Sequence, residues 1–131
     1  MSSQDVIPAE FGKIYSKLGN DVAAALPQGW HKAWVQAEMD TDNGMVACYY
    51  ATAAQPKPQQ LDDMPLSIYK DFRALQDAAR RFEPANVWTT ATFILGSDRK
   101  FKVELGYEPI PIEDQYERRI EWENKYFADG A

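Results

Sequence analysis

Apolar positions along this chain switch between two periods, and the switches mark out its elements. From 9 to 26, Phe11, Ile14, Tyr15, Leu18, Val22, Ala25 and Leu26 recur at helical spacing and form one stripe. Pro8 suits a first helical turn, and Pro27 with Gly29 ends the element. Over 31–39 the period becomes two: Ala33, Val35, Ala37 and Met39 alternate with Lys32, Trp34, Gln36 and Glu38. The segment Asp40-Thr41-Asp42-Asn43-Gly44 reads as a turn, since Asn and Gly accept positive φ. Met45–Ala51 returns as a second strand, apolar on both faces and therefore expected to be central.

Residues 52–63 hold Pro56, Pro58 and glutamines without a period, which predicts a long loop. A second helix is predicted over 65–82, with Asp62 or Asp63 near its N-cap and a stripe of Ile68, Phe72, Leu75, Ala79 and Phe82. Its Lys70, Arg73, Arg80 and Arg81 are expected on the solvated side. A strand over 87–95, a turn at 96–100 and a strand over 101–107 form a second hairpin, stopped by Pro109 and Pro111. Gly106 reads as a bulge or a point of close packing. A third helix is predicted over 112–127. The order α-β-β-α-β-β-α gives an α+β fold with an antiparallel sheet. At 131 residues the chain is read as a single domain, 1–131, with flexible ends at 1–8 and 128–131.

Charge adds a pattern that periodicity does not carry. The net charge is -6, and it is uneven. Segment 38–63 has five acids against one base, and segment 101–131 has eight acids against four bases. Such a surface repels phosphates, so direct nucleic-acid and membrane binding are not expected, whereas a basic partner would be attracted. The candidate partner-binding acids are Glu38, Asp40 and Asp42 at the first hairpin, and Glu113, Asp114, Glu117, Glu121 and Glu123 on the last helix. Trp34 reads as core if a helix covers its face, and as an exposed interface anchor if that face is open. Trp88 and Trp122 are read as structural.

Catalytic chemistry finds little support. His31 is the only histidine and Cys48 the only cysteine, so no His pair, internal disulfide or zinc set can form. Cys48 lies mid-strand and reads as an inert buried thiol. Asp40 and Asp42 open like a calcium loop, but Ala51 occupies the position of its closing glutamate. Glu113, Asp114 and Glu117 complement a helix dipole without needing a metal. Neither catalytic residues, a metal nor a cofactor is expected. With no signal sequence and no apolar run near the roughly 18 residues of a membrane span, the expected location is the cytoplasm.

Four pieces in order carry a resemblance: FGKIYSKLGNDVAAALPQGW, WVQAEMDTDNGMVACYY, VWTTATFILGSDRKFKVELGY and YERRIEWENKYF. Together they resemble the YezG-like immunity protein family from about Phe11 to Phe127. The resemblance implies a non-enzymatic inhibitor, encoded beside a toxin, that binds that toxin's C-terminal domain. Toxins of the family are often nucleases, which agrees with an acidic inhibitor facing a basic groove. The alternative reading is a small adaptor or ligand-binding α+β domain with no toxin partner.

Overall fold

The structure, a computed structural model, describes residues 9–127. The expectations for Pro8 and for flexible ends at 1–8 and 128–131 lie outside the described residues. Helix α1 spans Ala9–Ala25, strand β1 Trp30–Met39, β2 Gly44–Thr52, β3 Gln59–Gln60 and helix α2 Leu66–Phe82. Strands β4, Thr90–Gly96, and β5, Phe101–Gly106, follow. A 3-10 turn at Ile112–Asp114 then leads into α3, Gln115–Phe127. The fold is α+β in the order read from the sequence, with one short strand added.

The sheet is antiparallel throughout, in the order β3-β2-β1-β4-β5. β2 is interior and largely buried as expected, between β1 and the short β3, while the middle strand is β1, paired with β2 on one side and β4 on the other. The segment after β2 is not wholly a loop, because Gln59 and Gln60 pair with Tyr50 and Tyr49. A two-residue strand has no period to display, so only its neighbour reveals it.

Alternation along β1 sends its side chains into two cores. Ala33, Val35, Ala37 and Met39 face α1 and α2, packing with Leu18, Val22, Ile68, Phe72, Leu75 and Phe93. Trp34 faces the other way, with Ala47, Tyr49 and Ala51, under Trp122, Tyr126 and Phe127 of α3. The result is a three-layer arrangement, two helices on one face of the sheet and one on the other.

Two polar side chains of α2 tie the layers at one end. Gln76 is buried and its Nε2 donates to the carbonyls of Met39 and Trp88, each at 2.9 Å. Arg73, half-buried, donates to the carbonyls of the exposed Asp40 (2.7 Å) and Asn43 (3.2 Å), holding the β1–β2 turn. Asp63 lies near the N-cap of α2, as expected, without capping it. Pro65 occupies the N-cap without a side-chain bond, and Asp63 adopts φ 55°. Trp88 precedes β4 instead of starting it, yet is fully buried.

Candidate partner-binding site

Helix α3 is held to the sheet by polar and aromatic contacts in a row. Glu38 and Arg118 form a two-pronged ion pair, Nε to Oε2 at 2.8 Å and Nη2 to Oε1 at 3.1 Å. Arg118 also donates to the Pro111 carbonyl at 2.7 Å, which fastens the approach to the helix. The Glu38 carboxylate raises the guanidinium's pKa further above its already high value. Next, Trp122 Nε1 donates to Thr92 Oγ1 at 2.8 Å, and the Tyr126 hydroxyl donates to Glu104. Phe127 closes edge-on against Trp34, ring centroids 5.3 Å apart. Going from Arg118 to Phe127, the partners on β1 run from Glu38 back to Trp34, so α3 lies antiparallel to β1.

This docking decides what each sequence-derived candidate can do. Trp34 is core: α3 covers it, it is only 1% exposed, and no partner reaches it while α3 is seated. Glu38 is buried and committed to Arg118. Asp40 points its carboxylate into its own turn, accepting the N–H groups of Asn43 (2.7 Å) and Asp42 (3.0 Å). Those bonds hold its pKa below the usual carboxylate value. Glu123 is half-buried and pairs with Arg119 at 3.3 Å, while Arg119 reaches Gln60 Oε1 on β3 at 3.1 Å. Asp42, Glu113, Asp114, Glu117 and Glu121 are exposed. The first hairpin turn and the start of α3, about 70 residues apart in the chain, come to the same end of the sheet through Glu38 and Arg118.

Exposed apolar residues that are not among the sequence-derived candidates stand between the acids of the last helix, on the outer side of α3 and in the 3-10 turn before it. Ile112, Tyr116 and Ile120 stand at four-residue intervals and are 75%, 72% and 39% exposed. On α3, Glu117 and Glu121 follow Tyr116 and Ile120 by one position, and in the 3-10 turn Glu113 follows Ile112, so exposed apolar and acidic residues alternate along this stretch. The signal was present: α3 carries more apolar residues than one sheet-facing stripe accommodates. Below this ridge, a cleft of about 330 Å³ opens between α3 and β1, β4 and β5. Gly106 closes one wall, where a Cβ would sit 2.3 Å from Thr90 Oγ1; the expected close packing is what is found.

A family model described as Immunity protein YezG-like matches residues 11–129. The chain belongs to the YezG-like immunity protein family. Its relatives include the Type VII secretion system protein EsaG of Staphylococcus aureus (strain NCTC 8325 / PS 47), 24% identical over 133 residues. That similarity covers 91% of this chain and 74% of EsaG. The Immunity protein YezG of Bacillus subtilis (strain 168) is 25% identical over 127 residues, covering 86% of this chain and 84% of its own. The YezG-like match takes in every element from α1 to α3, the outer ridge included.

His31 is exposed at the start of β1. Cys48 is buried in β2, and burial pushes its thiol up to about 12, which keeps it from forming the reactive thiolate. Among the described residues no group of three or more His, Cys, Asp or Glu is placed to hold a metal ion. Nor is any described helix long and apolar enough to cross a membrane. Between α1 and α2, Lys17 bridges Asp21 (2.8 Å) and buried Asp71 (3.0 Å). Burial raises Asp71 to about 6, with the adjacent Asp21 adding to the rise; Asp21 in turn is held low by Asp71 and Lys17. This cluster joins two packed helices and faces none of the exposed acids of α3.

Proposed function

We propose that this chain is an immunity protein that binds and neutralises the C-terminal domain of a cognate toxin, a basic nuclease, in the cytoplasm of the producing cell. The observation that carries the reading is the outer side of α3 in a chain of this family. Exposed apolar residues suit an interface core, and the acids between them suit a basic partner. Ile112, Tyr116 and Ile120 would supply the desolvated anchors, with Tyr116 the largest. Glu113, Asp114, Glu117 and Glu121, joined by Asp42 at the same end of the sheet, would steer the approach and then occupy the groove that the toxin needs for phosphates. Inhibition is by occlusion.

The test starts with the toxin domain encoded beside this gene. Tagged full-length protein should retain it in a stoichiometric complex, and the complex should lack nuclease activity. Stopped-flow association should slow as salt rises, because the Debye length is about 8 Å at physiological ionic strength. Reversing Glu113, Asp114 and Glu117 together to Lys should slow association with little change in dissociation. An association rate indifferent to both salt and charge reversal would sink the electrostatic account.

A further inference from the structure

The cleft beneath α3 contains a buried polar group with nothing to bond. Gln36 lines it, is 4% exposed, and its Oε1 has no hydrogen-bond partner. An acceptor left unmade in this way is costly, so its retention calls for an explanation. The cations around the cleft are already engaged: Arg118 holds Glu38 and the Pro111 carbonyl, and Lys125 lies 3.6 Å from Glu104. Glu121, also on the lining, has no ion-pair partner among the described residues. What the cleft offers an incoming group is therefore acceptor capacity, beside the flat ring of Trp122.

We propose that this cleft is a guanidinium site that receives an arginine side chain of the basic partner. Gln36 Oε1 and the Glu121 carboxylate accept from its N–H donors, the Glu104 carboxylate being already held by Lys102, Lys125 and Tyr126, and the Trp122 ring lies along its plane. A lysine ammonium has fewer donors and no plane, so it is the poorer fit. Glu121 belongs both to the exposed acids of α3 and to the cleft, which links the two parts of one interface. The inference rests on the reading of the partner as basic, but the site can be tested without that partner.

The probe is Nα-acetyl-arginine N-methylamide, titrated into the full chain and followed by NMR at the Gln36 side-chain amide and the Trp122 indole. Saturable shifts in the millimolar range are expected, weaker for the lysine analogue and absent for the norleucine analogue. Gln36→Leu, which keeps the volume and removes the acceptor, should weaken binding about fivefold or more. So should Glu121→Gln, an exposed site that keeps the proposal testable if the Gln36 variant misfolds. Bound toxin domain should exclude the probe. Absence of saturable shifts, or shifts unchanged by both variants, would overturn the site. A toxin complex that leaves the probe's affinity unchanged would overturn its role as an anchor while leaving the immunity reading intact. Probe binding in a chain that captures no toxin would support the guanidinium site and count against the immunity reading alone.

Discussion

The two faces of the sheet are packed by different chemistry. On the α1/α2 face, Leu18, Val22, Val35, Ile68, Phe72 and Phe93 are fully buried, and the contact is almost wholly apolar. On the α3 face the same strands present Gln36, Glu38 and Thr92 among Trp34, Ala47 and Tyr49, and no residue of α3 itself is fully buried. The apolar face needs only shape and volume. The α3 face needs each polar group matched to a partner, and where the match is incomplete a cleft remains. One face thus carries most of the folding free energy, while the other positions a helix whose outer side is free.

That contrast can be broken most directly in the apolar core. Phe72→Ala should cost about 3–5 kcal/mol, read as a lower urea midpoint, because it leaves a cavity at the centre of the α1/α2 face. A loss under 1 kcal/mol would mean that this face is not the main source of stability.

On the opposite face, Glu38→Ala strands the Arg118 guanidinium, which keeps some contact with water. A loss of about 2–3 kcal/mol is expected, and Glu38→Met combined with Arg118→Met should recover most of it. Urea unfolding of the single and double variants gives the coupling. Equal losses in both would show that the side chains act by packing and not as a pair.

The outer ridge should behave in the opposite way. Replacing Ile112, Tyr116 and Ile120 together by Ala should weaken toxin binding at least tenfold, about 1.4 kcal/mol or more, while the urea midpoint barely moves. A destabilised variant with unchanged affinity would make these residues part of the fold and not of the interface.

The smallest effect concerns pH. Burial lifts Asp71 to about 6, so the folded protein retains a proton that the unfolded chain has released. Its contribution is present below the ordinary carboxylate pKa and is lost as pH rises through about 6. Asp21, held low by Asp71 and Lys17, works in the opposite sense, contributing above that range and losing it on acidification. Asp71→Asn should therefore flatten the fall in stability between about pH 4 and 7 and gain about 1 kcal/mol at pH 7. Thermal unfolding across that range checks it; a slope unchanged by the substitution would rule out Asp71 as its source.

Sequence periodicity by itself determined the three helices, the two hairpins and the α1/α2 core, because a stripe or an alternation is a local property of neighbouring residues. The acidic bias of the last segment was equally legible. Tertiary structure alone decided that β1 is central, that Gln59–Gln60 pairs with β2, and that Trp34 is covered. The reason is that Gln36 and Glu38 alternate along β1 as solvated residues would. What makes their burial tolerable is Arg118, 80 positions from Glu38, on a helix that covers this face of the sheet. The same docking turned Glu38 from a candidate binding residue into a structural one. It also moved the candidate surface outward, to Ile112, Tyr116 and Ile120, whose exposure depends on which side of α3 the sheet takes.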